Sequence, residues 1–552
     1  MRKCVKKYMQ KLVLFSWLLI AGLLQEAPLA TAAEAATTPT LAELLQQLTT
    51  ASLNETIELL PQLETVGGLP MLPLFQAMID GELRYAKESL QLVKLTDAAD
   101  GSELVTDVLS GAVLADFNVA NSSKIRVNNR LRTLLRESIA RINLTEGGAA
   151  QRKAAAEAML ANIDADSVAL LQKALVAESD EDVQEVMQVG IAMFELMSAT
   201  EDNARIAAIG QLDGRLEGPV RNLLTSFNAE GANARSSAPV RAAAARVLAD
   251  IEADTDFYLL MEQLFFGLSL GSVLLLAAIG LAVTFGVMGV INMAHGEMLM
   301  LGAYTTYVVQ LLMPQAINYS LWVAIPAAFM VSALVGMFIQ RFVIRYLNGR
   351  PLETLLATFG ISLILQQTVR TIFSPLNRRV VSPDWMSGSL QLNPVLSLTY
   401  NRIFILVFAL VVFAALVLIL KKTSLGLNVR AVSQNRAMAK AMGVRTDYVD
   451  AMTFGLGSGI AGMAGVALSQ LTNVGPNLGQ SYIIDSFMVV VFGGVGNLLG
   501  TLLAAFSLGV ANKFLEPATG AVLANILILV FIILFIQKRP KGLFPQKGRA
   551  AE

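Results

Sequence analysis

The chain has 552 residues, 54% hydrophobic and only 15% charged, with a mean hydropathy of +0.57. Soluble domains carry about 25% charged residues, so a disordered chain and a wholly soluble globular one are both excluded, and the length exceeds one ordinary domain. Charge is divided unevenly, with roughly +10 net over residues 258–552 and roughly −11 before them. The only cysteine is Cys4 and the only histidine is His295. No disulfide framework, cysteine-based zinc site or histidine-based triad is available from that inventory, and no metal or cofactor is expected. The overall pI near 6.1 carries no nucleic-acid signature, and no nucleic-acid partner is expected.

Residues 1–32 read as a secretory signal. Arg2, Lys3, Lys6, Lys7 and Lys11 precede an apolar run over residues 12–24, which is too short to span a bilayer. Ala30, Thr31 and Ala32 then place small residues where a signal peptidase cuts. A retained short anchor is the alternative. Residues 33–257 are rich in Ala, Leu, Glu, Gln and Asp, with apolar residues at three and four spacing, as in Leu41, Leu44, Leu45 and Leu48. Few alternating runs occur, so this region is expected to be an extracytoplasmic domain of helical hairpins. Residues 153–166 (KAAAEAMLANIDAD) align with 241–254 (RAAAARVLADIEAD), which points to HEAT-like stacking. Alignment by composition alone is the alternative. The acidic surface serves solubility, or it docks a soluble receptor or acts as a gating element beside the pore. Arg126, Arg130 and Arg132 form a small basic cluster, expected on a solvated helix face.

Residues 258–552 form an all-α membrane domain. Apolar stretches run over residues 258–288, 298–313, 321–343, 352–373, 403–420, 451–471 and 521–536. Residues 482–511 are apolar but interrupted at Gly493, Gly494 and Gly496. About eight helices are therefore expected, one broken or re-entrant, since glycine-rich breaks at membrane depth need protein or a cavity around them. With the acidic domain outside, Arg341, Arg345 and Arg350, then Lys421, Lys422 and Arg430, then Lys538, Arg539 and Lys541 fall inside. Arg378 and Arg379 fall outside and break the rule.

The chain contains no GxxxxGK[ST] motif, so it carries no P-loop of its own. Ionisable residues at membrane depth are few, namely His295, Glu297 and Asp485, unlike the clusters of a proton-coupled carrier. Energy then has to come from another subunit. Residues 434–442 (QNRAMAKAM) read as a short amphipathic helix ended by Gly443, with Arg436 and Lys440 facing water. Such a helix lying on the cytoplasmic surface is a lever for a motor protein; an ordinary basic loop is the other reading.

Three runs carry a resemblance. Residues 292–304 (NMAHGEMLMLGAY), 430–443 (RAVSQNRAMAKAMG) and 492–500 (FGGVGNLLG) resemble, in order, segments of branched-chain amino acid ABC transporter permeases. Within that family, residues 286–292 (GVMGVIN) and 482–488 (YIIDSFM), with the long N-terminal extension, look most like its urea-transporting branch. The resemblance implies an importer half-channel in a bacterial inner membrane, with a cytoplasmic C-terminus. Its partners would be a second homologous permease, two cytosolic ATPases, a periplasmic binding protein and membrane lipid. It implies ATPase coupling through Asn435, Met438, Ala439, Ala441 and Gly443. Asn292, His295, Glu297, Gln366 and Asp485 are pathway or gating candidates, with Gln367 and Thr284 as further lining. The first three of those candidates are equally read as polar groups that satisfy one another at a helix break, and Asp485 as an N-cap. The glycines 493, 494 and 496 are read as close packing or a half-helix turn. Rival functions are a permease for branched-chain amino acids or short amides, a passive urea channel, and a membrane-anchored interaction protein.

Overall fold

A computed structural model of the chain describes residues 40–97, 103–114, 117, 119–229, 237–347 and 349–544. The expected signal segment lies outside the described residues. The chain divides into two compact units, residues 1–191 and 192–552.

In the first unit, α1 (Leu41–Thr50) and α2 (Leu53–Gly67) both open on capping boxes. The hydroxyls of Thr40 and Ser52 accept the N–H of Glu43 and Glu55, whose carboxylates accept the cap N–H in return. After α3 (Leu72–Asp80) comes a four-stranded antiparallel sheet of β1 (Leu83–Ala86), β2 (Leu92–Asp97), β3 (Glu103–Asp107) and β4 (Ser122–Lys124), in the order β3-β2-β1-β4. This sheet corrects the expectation of helical hairpins throughout. Its strands have only three to six residues, too few for their alternation to stand out in the sequence. Asn128 caps α4 (Asn129–Glu146); Arg126, just before the helix, and Arg130 and Arg132 on it are all exposed. Leu44, Leu63, Phe75, Leu83, Leu131 and Leu135 form one core under these elements, each side chain contributing about 1.5–3 kcal/mol on burial.

Helices α5 (Ala149–Met159), α6 (Ala165–Ala177) and α7 (Glu181–Ser198) follow. Arg152 of α5 clamps Glu178, just past α6, with bonds of 2.6 and 2.8 Å. Residues 153–166 cross the break between α5 and α6, whereas 241–254 lie inside one uninterrupted helix. The two aligned segments are thus not equivalent structures; shared alanine content aligns them.

The second unit begins within α7, and its α8 (Asp202–Gln211) and α9 (Gly218–Asn228) pack on the start of the 51-residue α10 (Ala238–Met288). That helix passes residue 257 without a break. It is followed by α11 (His295–Leu312), α12 (Ile317–Phe342), α13 (Pro351–Phe373), α14 (Tyr400–Lys422), α15 (Ser424–Gln434), α16 (Arg436–Ala441), α17 (Thr446–Ser469), α18 (Leu478–Gly493), α19 (Leu498–Thr519) and α20 (Ala521–Lys538). Between α13 and α14, β5 (Ser389–Gln391) and β6 (Ser397–Thr399) form a small hairpin. Among the described residues seven helices are long and apolar enough to cross a membrane, namely α10, α12, α13, α14, α17, α19 and α20. The 18-residue α11 and the 16-residue α18 complete the bundle.

Helix α17 is its centre, because its small residues admit neighbouring backbones. A Cβ on Gly457 would stand 2.6 Å from the Gly280 carbonyl of α10, and one on Gly465 would stand 2.8 Å from the Ala303 nitrogen of α11. Gly462 faces Ser332 of α12 just as closely. The break between α18 and α19 falls at the expected glycines. Gly494 and Gly496 have φ of +103° and +81°, a region that only glycine enters cheaply. The chain beyond α20 folds back onto this break. Leu543 and Phe544 N–H donate to the carbonyls of Phe492 and Gly493 at 2.9 and 3.2 Å, pairing groups that a membrane would leave unsatisfied. Arg378, the exception to the charge rule, has a local partner: its guanidinium donates to the Phe373 carbonyl and lies over the Tyr307 ring.

Candidate functional site

Helix α10 ends at Gly289, and the six residues before α11 form a non-helical hinge. Residues 291–294 lie outside α11. Asn292 is buried in this hinge, and its Oδ1 accepts the Ala294 N–H at 3.0 Å. The Met293 N–H donates to Thr358 Oγ1 of α13 at 3.1 Å. His295, fully buried at the start of α11, sets its Nε2 2.9 Å from the Ala277 carbonyl. That carbonyl only accepts, so this ring nitrogen carries a proton. Glu297 is also buried, and its Oε1 accepts from Ser362 Oγ at 2.9 Å and Gln366 Nε2 at 2.8 Å.

The side chains of Asn292, His295 and Glu297 are thus not one another's partners, contrary to that reading of the sequence. Each reaches a different element: the hinge backbone, α10 and α13. Glu297 and Gln366 are brought together. Asp485 is not an N-cap. It is the eighth residue of α18 and half-buried, because the helix begins earlier, at Leu478. The Asn477 side chain there instead accepts from Arg370 at 2.7 Å.

The residues missed from the sequence are Thr354, Thr358 and Ser362. With Gln366 they recur every four positions and form a buried polar seam along α13. That i, i+4 spacing was the available signal, masked by the apolar residues on the helix's other face. Elsewhere in the bundle interior, Asn292 Nδ2, His295 Nδ1 and Glu297 Oε2 are buried without a hydrogen-bond partner. They offer a donor, a ring nitrogen and an acceptor inside the bundle. Among the described residues no Lys or Arg is buried. The interior is therefore furnished with amides, hydroxyls and carboxylate oxygens, and no fixed cation.

The second candidate lies at the other end of α17. Asn435 separates α15 from α16, and its side chain caps α16 by accepting the Met438 N–H at 2.9 Å. Ala439 is buried with Val429, Val432 and Val449 in a small core. Gly443 reverses the chain at φ +87°, and the Val444 N–H returns to the Ala439 carbonyl at 3.0 Å. Met438 and Met442 are 60% and 78% exposed, and Ala441 lies outward beside them. Arg436 does not simply face water, as the sequence reading had it. Its guanidinium makes a two-pronged ion pair with Asp450, a fully buried residue of α17. Arg345 pairs with Asp447, one turn earlier on α17, at 2.9 Å. The short arm is thus latched to the central helix by charge, and it presents methionines outward.

Residues 263–536 match the family described as "Branched-chain amino acid transport system / permease component". The chain is 30% identical over 299 residues to the high-affinity branched-chain amino acid transport system permease protein LivH of Salmonella typhimurium, covering 52% of this chain and 96% of that protein. It is 29% identical over 297 residues to BraD of Pseudomonas aeruginosa, a protein of the same description, with the same coverage. A shorter similarity, 30% over 113 residues, covers 19% of this chain and 35% of the ribose import permease protein RbsC of Haemophilus influenzae. No solved structure matches.

Proposed function

Because the chain belongs to the branched-chain amino acid transport permease family, we propose that it is the membrane-spanning subunit of an ATP-driven importer whose cargo is urea. It would form half of the translocation path beside a second, homologous permease. Two cytosolic ATPases would dock at α16, and a periplasmic binding protein would deliver the solute. Residues 33–257 would lie in the periplasm and the C-terminus in the cytoplasm of a bacterial inner membrane, the arrangement the positive charges favour.

The observation that carries the cargo reading is the seam from Thr354 to Gln366, polar and without a buried cation. Urea is small, neutral and polar, and needs hydrogen-bond partners rather than counter-ions. A zwitterionic amino acid brings a carboxylate into the bilayer, and a buried charge without a partner costs several kcal/mol. The orphaned atoms of Asn292, His295 and Glu297 offer urea one donor for its oxygen and acceptors for its N–H groups. Branched-chain amino acids are the second reading, favoured by the names of the relatives.

The test is uptake by proteoliposomes holding the complete complex, with labelled urea and labelled leucine supplied separately at micromolar concentration. The proposal expects urea uptake that stops on ATP depletion. Leucine uptake without urea uptake would assign the second reading. Urea uptake indifferent to ATP would indicate a passive channel.

A further inference from the structure

A cleft of 1030 Å³ lies apart from both the polar seam and the coupling arm. It lies between the last turns of α14, the first turn of α19 and the segment following α20. Phe413, Val417, Leu418, Leu499 and Phe544 make its walls apolar, and Lys421 and Lys422 stand at its rim. Both lysines are exposed and have no ion-pair or hydrogen-bond partner among the described residues. No acidic residue occurs over residues 413–446 or 517–551, while Lys538, Arg539 and Lys541 add positive charge to the segment that closes the cleft. Its floor is Gly496 and Asn497, the break between α18 and α19.

We propose that this cleft is a binding site for one anionic phospholipid. Acyl chains would lie along the apolar wall of α14, and the headgroup phosphate would sit between Lys421 and Lys422. Three features argue for a lipid. The helix supplying the wall exposes Val407, Val411 and Leu418 along its length. The cations occupy only its aqueous end, where long basic side chains reach the headgroup level. An irregular apolar cleft also suits flexible chains better than a fixed polypeptide ridge. The occupant would rest on the glycine break and so brace the junction of α18 and α19. The inference needs only that the chain spans a bilayer; it does not depend on which solute is carried.

Native mass spectrometry of the full-length protein, delipidated in detergent and refilled, tests it. Phosphatidylglycerol and phosphatidylcholine of identical chains are the two probes. One phosphatidylglycerol should be retained per chain, and phosphatidylcholine should not. Lys421→Gln with Lys422→Gln should weaken that retention about 30-fold, from about 1 kcal/mol per charge near the surface. Arg430→Gln with Lys440→Gln removes equal charge outside the cleft and should leave retention unchanged. Leu418→Trp keeps both lysines, puts a bulky ring on the acyl-chain wall and should weaken retention of the lipid. Equal retention of the two lipids would overturn the proposal, as would equal loss in both double variants. Cross-linking of Leu499→Cys to a second permease subunit, in place of lipid, would overturn it too. Circular dichroism confirms that each variant compared is folded.

Discussion

Glu297 shows how one buried side chain ties two helices together. Its Oε1 takes hydrogen bonds from Ser362 and Gln366, and its other oxygen is left for something else. Glu297→Gln keeps a carbonyl acceptor for both donors, so its thermal midpoint in detergent should stay near that of the parent. Glu297→Leu strands both donors at about 1–3 kcal/mol, and should lower the midpoint and the uptake rate together. The Arg436–Asp450 pair makes a second prediction. Arg436→Ala leaves Asp450 buried without its counter-charge, at a cost of about 3 kcal/mol. Replacing both, Arg436→Met with Asp450→Leu, should destabilise less than Arg436→Ala alone, as a double-mutant cycle of denaturation midpoints would read. Glu178 supplies a pH dependence outside the membrane. Hydrogen bonds from Arg152 hold its carboxyl at about 2, well below its ordinary 4.5, against the opposing effect of burial. A depressed carboxyl stabilises the fold above its unfolded value, and that contribution is lost as pH falls from about 4.5 through 2. Hydrogen exchange of α5 and α6 in the full-length protein should accelerate across that window, and Arg152→Ala should weaken the dependence, leaving only the Ser179 and Asp180 N–H donors on Glu178. The candidate residues themselves were legible in sequence as polar groups in apolar runs. Their partners were not, because Ser362 and Gln366 lie 65 and 69 residues from Glu297.

At the scale of elements, helices with local signatures were the readable ones. The Thr40 and Ser52 capping boxes, the apolar spans and the glycine break all follow from neighbouring residues. The four-stranded sheet was not legible, because strands of three to six residues owe their form to pairing across the chain. Nor was the passage of α10 through residue 257, since composition changes there while helical backbone continues. The glycine break carries its own prediction. Gly494→Ala forces a side chain into positive φ, and its Cβ would stand 2.6 Å from the Phe544 carbonyl. Gly443→Ala meets the same backbone strain with nothing within 4 Å. The first should cost more than the second, with about 1–3 kcal/mol of strain common to both. Folding yield and midpoint in detergent would show the order.

The whole molecule pairs a membrane unit that belongs to a permease family with a long N-terminal region outside the family match. Its interior presents hydrogen-bonding groups without fixed cations. Its central helix α17 carries Asp450, the anchor of an arm whose methionines point outward. In the proposed complex this arm receives force from a separate ATPase and passes it to α17. Cysteine cross-linking in the assembled complex measures it most directly. Met438→Cys and Met442→Cys should each form an adduct with the ATPase subunit, while Leu311→Cys, exposed at the far end of α11, should not. Absence of any adduct at both methionine positions, in a complex that still imports its solute, would rule out coupling through this arm.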